Sequence, residues 1–377
     1  MSKVLLGDVA RERRETCKGN KDGYPVVGLE HLTPEEITLT EWDEGKDNTF
    51  TKLFRQGDVL FGRRRAYLKK AAVAPFDGIC SGDITVIEAI PEKILPELLP
   101  FIIQNDALFD FAVGKSAGSL SPRVKWEHLR NYSFELPDME KQRRLANVLW
   151  AMDATKKAYQ KLIQKTDELV KSQFIALFGK PGTDEKGWGL TTLGNCCELN
   201  PRRPKNMRTD VDYSFVPMPA VSEKGIVDPS THKPYSELCK GFTYFANGDV
   251  LFAKITPCME NGKGGIASEL KNGSGFGSTE FHVLRPIPQK SNPYWIYIIT
   301  MFDKFRNDAE KVMTGTGGQR RVPISYLSDY HISLPPIELQ EQFAAFVQQS
   351  DKSKFELEQA LTELTATYKR IIAENLG

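Results

Sequence analysis

Basic and amide side chains gather at several points along this sequence, beside residues that favour turns. Arginine, lysine and glutamine are the side chains that most often hydrogen-bond to phosphate oxygens and to base edges in nucleic acids. A solvated basic surface is the alternative interpretation for any single charge run. The candidates for nucleic-acid contact are Arg63, Arg64, Arg65, Lys69, Lys115, Arg123, Arg202, Arg203, Lys254, Gln319, Arg320 and Arg321.

The sequence offers no matching set of catalytic residues. The tetrapeptide 292–295 (Asn-Pro-Tyr-Trp) resembles the catalytic loop of amino-methyltransferases, but it lacks the second proline of that loop, and no Gly-rich strand–turn of the kind that binds the methyl donor precedes it. We interpret it as the start of a helix. The histidines are scattered and the cysteines form no CxxC pair, so no zinc site is indicated. We expect no catalytic residue, no metal and no cofactor on this chain.

Several short sequence motifs occur twice along the chain, in the same order. The offset between matching residues grows from 187 (Gly7 to Gly194) to 198 (Gln142 to Gln340), which small insertions would produce. A repeat of this kind predicts a duplicated architecture, whereas two unrelated α/β domains with similar turns are the alternative. The matches are Leu6-Gly7-Asp8 with Leu193-Gly194-Asn195, 57–61 with 248–252, 114–119 plus Arg123-Val124 with 314–319 plus Arg321-Val322, and Leu136-Pro137 plus Glu140 and Gln142 with Leu334-Pro335 plus Glu338 and Gln340.

Each copy is predicted to begin with a mixed α/β domain, over 1–138 and over 181–336. Short apolar runs such as 58–61 and 83–87 lie between Gly, Pro and Asp residues and predict strands. A helix is expected over 98–111 and over 294–305, followed by a Gly-rich loop and a strand that ends at Leu-Pro. The small residues of the two Gly-rich loops would let the backbone approach phosphate closely.

Each copy is predicted to end with a long helix, over 139–180 and over 337–377. Apolar residues recur there at heptad-like spacing, and no Gly or Pro interrupts the second stretch between Pro336 and Gly377. A helix of this length measures roughly 50–60 Å. We expect the two helices to pair antiparallel, like a coiled coil, and to separate the two domains. Burial in an ordinary core or in a homodimer is the alternative.

Composition limits the class of protein. The 377 residues, of which 40% are hydrophobic, predict two or three cores. The formal net charge is only +1, so nucleic-acid contact would depend on local patches. No apolar stretch approaches the ~20 residues of a membrane span, and no signal segment begins the sequence. With few cysteines as well, we expect a soluble, cytoplasmic protein without a membrane partner.

The order of these features resembles the specificity (S) subunit of Type I restriction–modification systems. The resemblance covers nearly the whole chain and rests on duplicated order. The segment 334–340 (Leu-Pro-Pro-Ile-Glu-Leu-Gln) is similar to the family's helix-entry motif, and 173–179 is similar to the end of its first spacer helix. The first copy, 136–142, lacks the second proline.

The resemblance implies a fold and a set of partners. Two pseudo-symmetric target recognition domains, 1–138 and 181–336, would be separated by spacer helices 139–180 and 337–377. Each domain would read one half of a bipartite double-stranded DNA site. Two methyltransferase (M) subunits would dock on the chain and restriction (R) subunits would join them. S-adenosylmethionine would bind the methyltransferase subunits and not this chain.

Two other functions remain open at this point. An unrecognised nuclease or methyltransferase site could lie in one of the domains, in which case the purified chain alone would be active. Alternatively, the chain could be a coiled-coil scaffold that binds only proteins, in which case exchanging residues 1–138 would leave DNA binding by its complex unchanged.

Overall fold

The computed structural model describes residues 2–19, 21, 23–44, 48–118, 120–316 and 318–376. The chain forms two compact units. Unit 1 comprises residues 1–161 and 357–377, and unit 2 comprises residues 162–356. Each long helix therefore contributes one part to each unit, because its ends are packed into the cores as described below.

Unit 1 contains two sheets and a strand pair. Strands lie in the order β2-β9-β6-β7 in an antiparallel sheet, and in the order β4-β3-β8-β5 in a mixed sheet where β3 and β8 run parallel. Strands β1 and β10 pair antiparallel. The strands are β1 Ser2–Leu5, β2 Ala10–Glu12, β3 Pro25–Val27, β4 Asp43–Glu44, β5 Lys52–Phe54, β6 Val59–Gly62, β7 Ala71–Val73, β8 Gly78–Cys80, β9 Ile84–Ala89 and β10 Ser133–Leu136.

The helix predicted over 98–111 is two helices, so that prediction is wrong. The chain leaves helical geometry at Gln104, and the Asn105 side chain accepts a hydrogen bond from the Ala107 N–H and caps a new helix. The helices of this half of the chain are α1 Leu6–Val9, α2 Leu99–Ile103, α3 Asp106–Gly114, α4 Trp126–Leu129 and α5 Met139–Phe178, and α5 continues into unit 2.

Unit 2 has the same strand order as unit 1. Its antiparallel sheet has the order β12-β19-β16-β17, its mixed sheet β14-β13-β18-β15, and β11 pairs with β20. The duplication predicted from the sequence is confirmed by this matching topology. The strands are β11 Leu190–Thr192, β12 Cys197–Leu199, β13 Asp212–Val216, β14 His232–Pro234, β15 Thr243–Ala246, β16 Val250–Ala253, β17 Gly264–Ile266, β18 Ser274–Gly277, β19 Phe281–Pro286 and β20 His331–Ser333.

The helices of the second half also match the first. The helix predicted over 294–305 is again two helices, with a break at Met301 and Phe302. The Asn292 side chain accepts a hydrogen bond from the Tyr294 N–H, which confirms the predicted helix start. The helices are α6 Leu193–Cys196, α7 Tyr235–Leu238, α8 Pro293–Thr300, α9 Asp303–Lys311, α10 Ile324–Asp329 and α11 Ile337–Leu376. None of the helices in the described ranges is long and apolar enough to cross a bilayer.

The two long helices run antiparallel within each unit. In unit 1, Leu149 near the start of α5 and Ile372 near the end of α11 lie in one core. In unit 2 the ends are reversed: the rings of Phe178 and Phe343 meet edge to face at 5.3 Å. The predicted antiparallel arrangement is therefore confirmed inside each unit.

The apolar stripe of α5 is buried at its ends and open in its middle. Phe174 and Phe178 are almost completely buried, whereas Leu162 and Leu169 are 50% and 53% exposed. The helix is therefore held by the α/β parts of the two units at its ends, and its central stripe leaves apolar surface uncovered on this chain.

The glutamine of each Leu-Pro…Glu-x-Gln motif is buried and holds the start of a long helix. Gln340 donates to the carbonyls of Pro335 (2.9 Å) and Lys290 (3.1 Å), and its Oε1 accepts from the Asn292 N–H (2.9 Å). Gln142 repeats the arrangement with the Pro137 carbonyl and the Leu95 N–H. The motif thus ties each long helix to the chain segment that precedes α2 in unit 1 and α8 in unit 2.

Replacement of this glutamine should destabilise unit 2. In Gln340→Ala the Asn292 N–H and two carbonyls lose their buried partner, so the free energy of unfolding should fall by about 1–3 kcal/mol. Denaturant unfolding of the full chain measures the change. The exposed Gln348 on the same helix provides the control, since Gln348→Ala should stay within about 0.5 kcal/mol of wild type. Equal effects of the two substitutions would contradict the buried tether.

Candidate nucleic-acid interface

A Gly-rich loop, residues 114–123 and here named loop 1, is closed by its own backbone. Ala117 and Arg123 exchange two backbone hydrogen bonds of 3.0 and 2.9 Å. Gly118 follows with φ +116°, a conformation that side-chain-bearing residues rarely adopt. Ser119, which the sequence places in this loop, lies outside the described residues. Leu120 is 91% exposed, so the tip of loop 1 faces solvent.

The corresponding loop of unit 2, residues 314–321 and named loop 2, closes in the same way. Thr314 and Arg321 exchange backbone hydrogen bonds of 3.0 and 2.8 Å. Gly315 has φ +125°, and a Cβ atom at this position would lie 2.6 Å from the Gln319 carbonyl oxygen. Glycine is therefore required here. Gly317 lies outside the described residues.

The segment that follows β6 lies directly beside loop 1. The Val124 N–H donates to the Arg63 carbonyl (3.0 Å), and the Arg65 N–H donates to the Pro122 carbonyl (2.9 Å). Arg64 pairs with Arg123 through an isolated bridge. The structure therefore brings the Arg63–Arg65 cluster and the arginine of loop 1 together, although they are far apart in sequence.

Unit 2 brings its candidates together through equivalent contacts. The Val322 N–H donates to the Lys254 carbonyl (2.9 Å), and the Thr256 N–H donates to the Arg320 carbonyl (3.0 Å). His282 is buried at the base of loop 2 and its Nε2 donates to the Val322 carbonyl at 2.8 Å. Burial lowers the pKa of His282, so this histidine acts as a neutral structural group.

A carboxylate accepts two hydrogen bonds from the arginine at the end of each loop. Arg123 donates to Asp83 through Nε (2.7 Å) and Nη2 (3.2 Å). Arg321 donates to Glu280 through Nε (2.9 Å) and Nη2 (2.8 Å). Hydrogen bonds from these arginines hold the pKa of Asp83 and that of Glu280 below their ordinary values. We name these two pairs the loop clamps.

The loop clamps reduce the positive charge that loops 1 and 2 present. Arg123 and Arg321 keep 42% and 41% of their side chains exposed, but two N–H groups of each are already committed to a carboxylate. DNA contact by these two arginines stays a prediction. The geometry shows that both of them position their loops.

The remaining candidates of unit 1 have different surroundings. Arg64 donates to the Ser121 hydroxyl at 2.5 Å, and Arg65 is exposed. Lys69 forms an ion pair with Asp106. Lys115 lies 5.8 Å from the centre of the Phe111 ring. Arg64 and Arg65 are therefore near loop 1, Lys115 belongs to loop 1 itself, and Lys69 is bound to the start of α3.

The remaining candidates of unit 2 divide in the same way. Gln319 is exposed on loop 2, and Arg320 has only long ion pairs, to Glu310 (3.5 Å) and Glu260 (3.8 Å). Arg203 instead donates to the Cys239 carbonyl at 2.6 Å, and its neighbour Arg202 is exposed. Arg203 is therefore bound to the segment that follows α7, whereas Gln319 and Arg320 belong to loop 2.

The sequence-based prediction missed the two carboxylates of the loop clamps. Asp83 and Glu280 each stand immediately before the last strand of an antiparallel sheet, β9 or β19. Their offset of 197 falls within the range of the other repeat matches. An acidic residue at the same place in both copies was the available signal. Among the described residues, no group of three or more His, Cys, Asp or Glu side chains is placed to hold a metal ion.

The family model of the Type I restriction modification DNA specificity domain matches residues 3–168 and 185–365. The chain belongs to this family. The two matched segments correspond to the two copies of the repeat, and each contains one Gly-rich loop and one loop clamp.

Relatives of this specificity-domain protein include subunits from bacteria and an archaeon. The Type I restriction enzyme EcoAI and EcoEI specificity subunits of Escherichia coli are each 38% identical, over 202 and 188 residues, or 52% and 49% of this chain. A putative type I restriction enzyme MjaX specificity subunit of Methanocaldococcus jannaschii is 21% identical over 197 residues, 48% of this chain. These matches span 34%, 31% and 46% of the relatives' own lengths.

Solved structures share the fold of this specificity-domain protein. The S subunit of a Type-I restriction-modification system from M. genitalium aligns with a TM-score of 0.59 at 11% identity, over 100% of this chain and 96% of that one. A chain from a structure of complex assembly and conformational transition of the type I R-M system aligns with a TM-score of 0.56 at 19% identity, over 99% and 97%. At these identities the likeness concerns the fold.

The loop clamp of unit 2 should make stability depend on pH. Because the pKa of Glu280 is lowered in the folded chain, its pair with Arg321 stabilises above the unfolded pKa of about 4.3 and is lost as the pH falls through the lower, folded pKa. Glu280→Gln should therefore cost about 1 kcal/mol at pH 7 and progressively less between pH 5 and pH 3. Denaturant unfolding at several pH values measures this difference.

The exposed Glu269 provides the control for this experiment. Glu269→Gln should leave the stability difference near zero throughout the pH range. A Glu280→Gln effect of constant size from pH 7 to pH 3 would show that the charge of the carboxylate does not stabilise the loop.

Proposed function

We propose that this chain is the DNA-recognition subunit of a Type I restriction–modification complex and that each α/β domain reads one half of a bipartite double-stranded site. One observation carries the proposal: both matches to the specificity-domain family coincide with domains of one topology that present equivalent Gly-rich loops. The chain would recognise DNA, and the methyltransferase and restriction subunits would supply the chemistry. S-adenosylmethionine would then bind the methyltransferase subunits.

The loops supply two kinds of contact that DNA recognition needs. Exposed backbone and cations near loops 1 and 2 could position phosphates, which fixes register without reading sequence. The exposed Gln319 could read adenine through two hydrogen bonds in the major groove. Arg64 and Arg65 occupy the corresponding side of loop 1, where unit 2 has Ile255 and Thr256. Such differences on one frame would give each domain its own half-site.

The long helices support the second part of the proposal, a ruler between half-sites. Both α5 and α11 are 40 residues long, and each belongs partly to unit 1 and partly to unit 2. At 1.5 Å per residue each helix measures about 60 Å. Half-sites one turn of DNA apart lie about 34–36 Å from centre to centre. A rigid helix pair of this length could hold two recognition domains at such a separation.

Uncovered apolar side chains on the helices fit docking of two methyltransferase subunits. Val148, Leu162, Leu169 and Phe355 are between 47% and 58% exposed although each belongs to a long helix. Apolar surface of this kind marks interaction sites on soluble proteins when it is contiguous. Restriction subunits would join through the methyltransferase subunits, and a DNA-restriction complex of this kind would operate in the cytoplasm.

Mapping of methylated sites tests the proposal as a whole. A genome that carries this chain with its methyltransferase partner should show a bipartite methylated motif, two short specified halves around an unspecified gap. Exchange of residues 1–138 for those of another family member should change one half and leave the other. An unsplit motif, or methylation by the purified chain without partners, would contradict the proposal.

Lengthening the helices tests the ruler in the same assay. The test inserts four residues, about one helical turn, within 150–170 and four more within 350–370. Both helices are lengthened equally because they are in contact, as the ion pair between Lys354 and Asp167 at 2.6 Å shows. The unspecified gap should lengthen by about one or two base pairs, with both halves of the motif unchanged. A fixed gap in a folded, active complex would exclude the ruler.

Loop 2 provides a test of direct DNA contact. Arg320→Ala combined with Arg321→Ala should weaken DNA binding and lower the slope of log K against log salt by up to about one unit for each phosphate that the variant no longer binds. The comparison with Arg320→Ala alone is informative, because Arg320 has only long ion pairs whereas Arg321 also positions the loop. Affinity that is unchanged at several salt concentrations would remove loop 2 from the interface.

A further inference from the structure

A hollow in unit 1 opens beside loop 1 and has a volume of about 460 Å³. Its walls come from three places in the fold: the end of β2 and the turn after it, the start of β5, and the segments that follow β6 and loop 1. The lining residues are Glu12, Arg13, Arg14, Thr16, Lys52, Arg63, Lys125, Trp126 and Glu127. Five of these residues are cations and two are anions.

Two of the five cations are compensated by carboxylates. Arg13 donates to the buried Asp58 (2.6 Å) and also pairs with Glu15 and Glu88. Arg14 lies within 3.2 Å of Glu12 and 3.5 Å of Glu127. The ion-pair contacts of both anions of the hollow therefore go to Arg14, and Glu12, Glu127 and Asp83 act on the other three cations only through longer-range charge interactions.

The three remaining cations line the same hollow, and none of them forms an ion pair with a carboxylate of the described residues. Among the described residues Lys52 donates to the Ile84 carbonyl (2.7 Å), and burial lowers its pKa against the opposing effect of nearby charges that include Glu12 and Asp83. The Arg63 side chain has no hydrogen bond or ion pair to the described residues, and its Nε is buried. Lys125 is exposed at the rim. A buried N–H without a partner is destabilising, and a bound anion would offset that cost.

We propose that this hollow binds a phosphate group between Lys52, Arg63 and Lys125. Three donors around one concave site suit a tetrahedral oxyanion, and charge-assisted bonds to phosphate are among the stronger hydrogen bonds of proteins. The phosphate would belong either to the DNA backbone or to free orthophosphate. The first source rests on the proposed function, since the Arg63 carbonyl and Lys125 flank the Val124 backbone contact that joins the hollow to loop 1.

Unit 2 has fewer cations at the equivalent place. Thr243 begins β15 as Lys52 begins β5, and Asn200 follows β12 as Arg13 follows β2. The hollow there is lined by Asn200, Pro201, Arg203, Cys239, Phe242, Thr243, Tyr244 and Phe276, so Arg203 is its only lining cation. Arg203 donates to the Cys239 carbonyl at 2.6 Å. Of the three cations of the proposed site, unit 2 retains only Lys254, which matches Arg63, whereas Thr243 and Pro323 stand where unit 1 has Lys52 and Lys125.

Neutral variants of the full chain, studied in the complex in which it binds DNA, test the proposal. Arg63→Gln combined with Lys125→Gln removes two positive charges without creating a buried charge. Lys125→Glu changes only an exposed side chain, so it provides a second variant that does not threaten folding. Lys93→Gln removes an exposed positive charge outside the hollow and serves as the matched control.

The DNA arm measures affinity for site-bearing DNA at several salt concentrations. The double variant should bind about tenfold more weakly, and its salt slope should fall by about one unit for each phosphate that it no longer binds, while the control should change little. A scan with single neutral methylphosphonates should find one backbone position that weakens wild type tenfold and has no further effect in the double variant. That result identifies the DNA backbone as the source.

The second arm titrates inorganic phosphate into the DNA-free protein by calorimetry. Binding by wild type that the double variant and Lys125→Glu lose, with DNA affinity unchanged, identifies free phosphate as the ligand. If folded variants match wild type in both arms, the phosphate site is refuted while DNA recognition stands. If wild type binds no DNA at all, the proposed function fails and the phosphate titration alone decides the site.

Discussion

Each domain depends on a few buried polar side chains that join segments distant in sequence. Asp58 and Asp249, in the matching Gly-Asp turns before β6 and β16, are 3% and 1% exposed. Arg13 binds the first carboxylate from the turn after β2, and Arg285 binds the second from β19. A buried carboxylate without its cation costs about 3–5 kcal/mol, so each pair fixes how its antiparallel sheet is joined. The two copies retain the constraint although different strands supply the arginine.

The two domains share these internal polar contacts but differ in the side chains beside loops 1 and 2. The loop clamps and the buried glutamines Gln142 and Gln340 recur with the same geometry in both domains. The residues beside the loops do not recur: unit 1 has the arginine run 63–65, whereas unit 2 has Lys254-Ile255-Thr256. A frame held by internal polar contacts can carry different surface side chains without loss of stability. In the proposed function, that separation lets one fold read two different half-sites.

Charge pairing explains why the overall composition does not indicate the nucleic-acid surface of the proposed function. Several arginines of each domain are bound to carboxylates of the same domain, and the formal net charge of the chain is +1. An anionic partner would be attracted mainly by the few cations that form no ion pair within their own domain, such as Lys52, Arg63 and Lys125 in the hollow of unit 1. Local excess charge of this kind acts within about 10 Å, the screening length at moderate salt, so it positions a phosphate without making the chain basic.

The sequence by itself determined the duplication, the positions of the Gly-rich loops and the existence of two long helices, because turn residues and apolar periodicity are local signals. Only the tertiary structure decided which charges are paired and where the helices are covered. Arg123 binds Asp83, which lies 40 positions earlier in the sequence. The apolar stripe of α5 is buried only at its ends, where it contacts the folded domains. Such contacts depend on how strands from distant segments are placed side by side. A single sequence records the side chains that take part but not the distances between them.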